Sequence, residues 1–278
     1  MTAWTPPSAT LRQHDGVWRP AQISTVSYPE AGNEVCFQVE DSSYWFAHRN
    51  QCILEVVRQF SPAGTIYDIG GGNGFVALGF QQAGWDVALV EPGQGALNAS
   101  RRGLNQVVWA ALEDTGFNVG SLPAAAAFDV IEHIENDVGF LTTIRRLLQP
   151  GGRFYCTVPA MNTLWSDEDV HAGHFRRYSP VVLSDTLRKA GLEVEFITPF
   201  FVWLTLPVFL LRALPFRWWG GKAEKRGSVS AVQSDHRLPP ALAAPIRGLH
   251  AWELSRLRQR RTLPFGTSLL CVARAPSS

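Results

Sequence analysis

The sequence is poor in several features that would settle its class early. Only four of its 278 residues are cysteine, and no two stand at CxxC spacing. Disulfide scaffolds and zinc fingers cluster their cysteines. Cys36, Cys52, Cys156 and Cys271 therefore read as reduced, mostly buried thiols of a cytoplasmic protein. A surplus of one charge is also missing: 25 Lys and Arg stand against 24 Asp and Glu, a net charge of +1. Nucleic-acid-binding domains are usually strongly basic, so no nucleic-acid partner is expected. A membrane span needs about 20 mostly apolar residues. The most apolar stretch, Phe196 to Trp219, is broken by Pro199, Pro207 and Pro215 and contains Arg212. The first 20 residues lack the apolar run of a signal peptide. At 46% apolar residues the chain has enough material for an ordinary soluble core.

Periodicity organises what remains. Phe46, Ile53, Val56, Val57 and Phe60 recur at helical spacing over Tyr44–Phe60. Strands and helices then alternate. Strands are expected at Thr65–Ile69, Val87–Val90, Val107–Ala111, Ala124–Phe128, Arg153–Val158 and Leu192–Thr198, with a last one at Ser268–Ala273. Helices are expected at Phe75–Ala83, Gly95–Arg102, Val138–Leu148 and Pro180–Ala190, several stopped by glycine. This alternation predicts a doubly covered α/β sheet. Shorter strands are expected ahead of it, around Gly16–Trp18 and Val35–Val39. The interruption from Pro199 to Phe265 is too long for a plain loop and predicts a helical insert. The division follows: 1–43 an N-terminal segment, 44–198 the core, 199–265 the insert, 266–278 the last strand and tail.

The strongest chemical signal is Asp68-Ile69-Gly70-Gly71-Gly72-Asn73-Gly74, between a strand and a helix. Glycine allows positive φ, and without a Cβ it lets a ligand press against the backbone. A dinucleotide fingerprint spaces its glycines GxGxxG; here the spacing is GxGxG. Seventeen residues after Gly74 stands Glu91, at the carboxyl end of the second strand, where an acid can accept both hydroxyls of a ribose.

On these residues the chain resembles the class I S-adenosylmethionine-dependent methyltransferases. Phe128–Ile134, Leu148-Gln149-Pro150-Gly151-Gly152, Leu164-Trp165-Ser166 and Gly173–Tyr178 resemble segments of their small-molecule, type 11/12-like branch. The resemblance implies a Rossmann-like seven-stranded sheet, six strands parallel and the last antiparallel, with S-adenosylmethionine as cofactor. It implies that Asp68 orients the loop and the cofactor's amino group. Gly70, Gly71, Gly72 and Gly74 let the backbone approach, and Glu91 holds the ribose. Pro92 and Leu112 flank the adenine, and Glu113 or Asp114 accepts its amino proton. Asp129 and Val130 line the sulfonium side. Phe46 and Arg49 lie on the helix before the first strand, where Arg49 can pair with the cofactor's carboxylate.

Methyl transfer to a hydroxyl or ammonium also requires a proton acceptor, and histidine suits that role. His133 and His174 are the candidates. Arg176 and Arg177, with Tyr178, can hold an acidic group of the substrate; a salt bridge to Asp167–Asp169 is the plainer role. Asp129, Glu132 and His133 at i, i+3, i+4 would share one helix face and could meet a divalent metal, and Asp167, Glu168, Asp169, His171 and His174 form a looser cluster. Neither pattern is specific enough to assign a metal. In the insert, Phe200–Leu204 and Val208–Leu211 are intensely apolar, and Trp218 and Trp219 neighbour cations. Residues 222–261 carry nine Lys or Arg against three Asp or Glu. The insert can cap the site, lie peripherally on an anionic membrane, or form a homodimer contact through 199–226. The expected activity is methylation of oxygen or nitrogen on a small, partly apolar acceptor. A catalytically inactive cofactor-binding partner is the main alternative, and a nicotinamide-dependent oxidoreductase a weaker one.

Overall fold

A computed structural model describes residues 4–22, 37, 39–219 and 240–277. Two short strands come first, β1 (Arg12–His14) and β2 (Val17–Arg19). Helix α1 (Tyr44–Gln59) follows, its start fixed by the Ser43 hydroxyl, which accepts the Trp45 and Phe46 N–H groups. The alternation then runs β3 (Ile66–Ile69), α2 (Phe75–Gln82), β4 (Val87–Val90), α3 (Gly95–Arg101) and β5 (Val107–Val108). It continues with β6 (Leu122–Phe128), α4 (Asp137–Leu147), β7 (Leu148–Pro159), α5 (Asp167–Ala172), α6 (Pro180–Lys189) and β8 (Glu193–Phe200). After β8 come α7 (Thr205–Val208), α8 (Leu214–Trp219) and α9 (Pro240–Arg258), and β9 (Ser268–Arg274) ends the chain's regular structure.

One sheet runs β1-β2-β5-β4-β3-β6-β7-β9-β8. From β5 to β7 neighbours are parallel, and β9 lies antiparallel between β7 and β8. The expected seven strands are thus present, but the described sheet has nine. The extra pair is the β1–β2 hairpin, which extends the edge by placing Trp18 opposite Val108. The strand expected at Val35–Val39 is not formed where the chain is described: Phe37, Val39 and Glu40 are helical, and residues 35, 36 and 38 lie outside the described residues.

All residues of β3 and β4 are buried, as strands covered on both faces must be. Cys52, Ile53, Val56 and Val57 of α1 pack on one face with Val76, Ala77 and Phe80 of α2 and Leu254 and Leu257 of α9. Leu141, Ile144 and Leu147 of α4 and Leu183 and Leu187 of α6 cover the other. Cys52, Cys156 and Cys271 are free and buried.

The insert begins at Phe201, whose φ is +61°. Between α7 and α8 the chain widens into a π turn, Phe209–Ala213. Pro215 has no N–H to return to the preceding turn, which accounts for the irregularity there. Arg217 Nη2 donates to the Thr163 carbonyl at 3.0 Å and holds this stretch against the loop after β7. Leu206, Leu210, Leu211 and Trp218 remain exposed. Among the described residues no helix is long and apolar enough to cross a membrane.

Candidate active site

The carboxyl ends of β3, β4, β6 and β7 meet at the middle of the sheet, where strand order reverses and where open α/β sheets bind ligands. The glycine loop leaves β3 here. Gly70, Gly72 and Gly74 have φ of +70°, +55° and +74°. A Cβ on Gly74 would lie 2.5 Å from Leu104 Cδ1, whereas one on Gly72 would meet open space. Gly74 is therefore set by packing, while Gly72 faces the free side of the loop. A Cβ on Gly71 would lie 2.5 Å from Asp68 Oδ2.

Asp68 is fully buried, and neither carboxylate oxygen has a hydrogen-bond partner among the described residues. Burial raises its pKa to about 7; Arg49 opposes the shift and Glu91 adds to it. Glu91 Oε2 accepts the Gly72 N–H at 3.0 Å and Oε1 the Gly93 N–H at 2.8 Å. Burial raises the Glu91 pKa, and these two bonds hold it back. Each oxygen keeps a lone pair for a further donor.

Arg49, only 6% exposed, is no solvated helix charge. Its Nη2 lies 2.5 Å from Asp129 Oδ2 and 3.3 Å from Thr157 Oγ1, and Thr157 donates to Asp129 Oδ1 at 2.9 Å. Arg49 Nε is shielded from solvent and has no partner among the described residues. Phe46 stands edge-on to Phe75, ring centres 5.9 Å apart. Pro92 is half-buried, and its carbonyl accepts the Trp109 indole N–H. Leu112 is buried, and Glu113 points to solvent. Asp114 is half-buried, with Oδ2 shielded and unpartnered. Val130 presses its methyls against Gly70.

The expected shared helix face of Asp129, Glu132 and His133 does not form. Asp129 has φ of +57°, and Ile131–His133 is a single 3₁₀ turn. The chain instead joins two residues of the first cluster to one of the second: ligand atoms of Glu132, His133 and His174 lie within 4.8 Å of one another. These three could hold a cation. Glu132 is buried with Oε2 unpartnered, and burial, then the nearby Asp129, drives its pKa well up. His133 and His174 meet edge-to-face at 4.7 Å. Burial, then His174, lowers the His133 pKa, which keeps that ring neutral.

Behind His174 stands Asp169, itself fully buried. His174 Nδ1 lies 2.8 Å from Asp169 Oδ1, and Arg177 Nε donates to the same oxygen at 2.7 Å. Asp169 Oδ2 accepts the Ser166 N–H and completes the capping box of α5. Burial pushes the Asp169 pKa up, but the His174 and Arg177 hydrogen bonds outweigh it and leave the group below its ordinary value. The reading of Arg176, Arg177 and Tyr178 as holders of a substrate anion meets a competing geometry. Arg176 pairs with Asp137 at 2.7 Å and donates to the Glu135 carbonyl, Arg177 is spent on Asp169 and the Ala160 carbonyl, and the buried Tyr178 hydroxyl donates to Asp137. These groups fix the loop that carries His174.

Two contributors escaped sequence reasoning. Thr157 bridges Arg49 and Asp129; its place at a strand's carboxyl end was the available signal. Asn73 Oδ1 accepts from Asn98 Nδ2 at 2.9 Å, tying the glycine loop to α3. No periodicity announces such a pair.

A glycine cradle with an orphaned acid and a ribose-type carboxylate defines an adenosyl-binding α/β enzyme. A family model described as a methyltransferase domain matches residues 45–196. The chain belongs to that family: it is a class I S-adenosylmethionine-dependent methyltransferase, which displaces the nicotinamide alternative. No curated protein matches the sequence. Solved structures with the same fold include an S-adenosylmethionine-dependent methyltransferase of Thermotoga maritima at 17% identity, covering 88% of this chain and 94% of that one with a TM-score of 0.55. Phosphoethanolamine N-methyltransferase 2 of Haemonchus contortus, in complex with S-adenosylmethionine, is 15% identical, covers 93% and 62%, and has a TM-score of 0.53. A complex of the Haloferax volcanii Trm112 methyltransferase activator with its candidate methyltransferase gives 14% identity, 89% and 94% coverage, and a TM-score of 0.54.

Proposed function

We propose that the protein methylates an oxygen or nitrogen of a small, partly apolar acceptor, with His174 as proton acceptor. The carrying observation is the pairing of two carboxylates, the unpartnered Asp68 at the tip of β3 and Glu91 at the tip of β4 with a lone pair spare on each oxygen, around a loop bent by three positive-φ glycines. Those groups fit S-adenosylmethionine, which supplies an electrophilic methyl on a sulfonium. Asp68 offers two free acceptor oxygens to its ammonium. Glu91 keeps one lone pair on each oxygen for the ribose hydroxyls. Arg49 holds its partnerless Nε for the carboxylate, balanced meanwhile by Asp129. Pro92 and Leu112 flank the adenine, and Asp114, with its shielded oxygen, is better placed than Glu113 for the amino group.

On the acceptor side, Asp129 and Val130 border the reacting position, and the described parts of the insert, residues 201–219 and 240–265, serve as its cap. Alignment of the two reactants supplies most of the rate, roughly 7–11 kcal/mol in well-oriented systems. His174 takes the acceptor's proton on Nε2 while Asp169 keeps its Nδ1–H in place. Neutral His133 beside it adds no positive charge near the sulfonium.

Calorimetry with S-adenosylhomocysteine tests the cofactor half: binding is expected, and Glu91→Gln weakens it. The acceptor half is tested with isotope-labelled cofactor and a panel of phenols and amines, read by mass spectrometry. Tight cofactor binding without label transfer to any of them would favour the inactive-partner alternative.

A further inference from the structure

Away from that site, the seam between α1 and α9 buries a second cluster. His48 and Cys52 stand four residues apart on α1, which puts both on one face. Glu253 reaches them from α9. The three are 1%, 0% and 0% exposed. Their ligand atoms all lie within 4.8 Å of one another. We propose that His48, Cys52 and Glu253 bind one divalent cation of the zinc class, which rivets the insert to the core.

An ordinary buried ion pair accounts for only part of this geometry. His48 Nε2 faces two groups at once, Glu253 Oε2 at 2.7 Å and Cys52 Sγ at 3.5 Å. One proton on that nitrogen serves one of them. A metal ion serves both. Glu253 Oε1 is already fixed by the Val202 N–H at 2.5 Å, so the carboxylate presents Oε2 to the cluster as a single oriented ligand. His250 stacks on His48 with ring centres 3.6 Å apart. Among the described residues, His48 is the one basic group within ion-pair distance of Glu253. Among the described residues, His48 Nδ1 and His250 Nε2 are shielded from solvent and without partners.

The donor set selects the ion. Imidazole nitrogen, thiolate sulfur and one carboxylate oxygen suit zinc or cobalt, whereas magnesium and calcium prefer oxygen throughout. Zinc binds nitrogen and oxygen at about 2.0–2.2 Å, so the His48–Glu253 contact would open by roughly half an ångström. Three protein ligands leave a fourth position for water. Binding converts the Cys52 thiol to thiolate and releases its proton to solvent. The consequence reaches the active site through α1, which carries Phe46 and Arg49.

Cobalt(II) titration of the full chain, first dialysed against chelator, tests this directly. One equivalent is expected to bind with tetrahedral visible bands and a thiolate-to-cobalt charge-transfer band. Cys52→Ser is expected to abolish the charge-transfer band, and His174→Ala to leave it intact. Zinc is expected to raise the melting temperature of the unsubstituted chain and not of Cys52→Ser. No uptake, uptake without the thiolate band, or a band that survives Cys52→Ser would overturn the proposal. None of these readouts involves S-adenosylmethionine, so they stand or fall apart from the methyltransferase reading.

Discussion

The Nδ1 of His174 sits 2.8 Å from Oδ1 of Asp169, a carboxylate with no exposure to solvent. A carboxylate below its ordinary pKa is an acceptor only, so His174 donates to it from Nδ1, which assigns Nε2 to the proposed proton transfer. Asp169→Asn offers an amide that can take the wrong tautomer. We expect kcat to fall by about 10²–10⁴, the range of general-base catalysis. Affinity for S-adenosylhomocysteine, measured by calorimetry, should stay within a few-fold of the starting value.

Glu91 serves two backbone N–H groups besides the ribose assigned to it. Glu91→Gln keeps one acceptor oxygen and loses the charge. A charged hydrogen bond contributes about 1.5–3 kcal/mol, so the dissociation constant for S-adenosylhomocysteine should rise about 10- to 100-fold. Turnover at saturating cofactor should change much less.

Asp68 gives a pH test with a definite sign. Its folded-state pKa is about 7, against an ordinary value of 3.8. Between those values the folded chain holds a proton that the unfolded chain has lost. Stability therefore falls as pH rises through that window and levels off above it. In cofactor-free protein, Asp68→Asn should raise the melting temperature at pH 8, and the gain should shrink toward pH 4. The same substitution should weaken S-adenosylmethionine binding. A gain independent of pH would remove the assignment of the shift to Asp68.

Gly74 is held at φ +74°, with Leu104 Cδ1 and Ala99 Cβ where a side chain would begin. Gly74→Ala adds both backbone strain and overpacking, each costing about 1–3 kcal/mol. Thermal denaturation should show a clear loss of stability. Gly72→Ala meets strain without a clash, so it should cost less stability and, at the same time, reduce cofactor affinity.

Much of the site was legible because its grammar is local. Asp68 through Gly74 and Glu91 belong to one β-loop-α-β unit, and strand alternation alone sets which end of the sheet they occupy. The helix and strand expectations over 44–198 rested on the same short-range periodicity, and the structure departs from them by a residue or a few at most ends. The β1–β2 hairpin was half legible, since its three-residue strands are too short for a periodic signal. The fate of Arg176 was not legible, because its partner Asp137 lies 39 residues away in sequence, whereas Arg177 makes the salt bridge to Asp169 that the sequence had offered as the plainer role.

The sequence by itself determined the alternating architecture, the bare loop and the acids at its rim, because glycine's conformational freedom and apolar period act over a few residues. Tertiary structure alone decided which histidine gained a buried carboxylate, that Arg49 faces Asp129, and that His48 and Cys52 meet Glu253 from some 200 residues on. Those are choices about buried charge. Which polar groups lose water, and which partner repays that loss, is settled only when distant elements pack together.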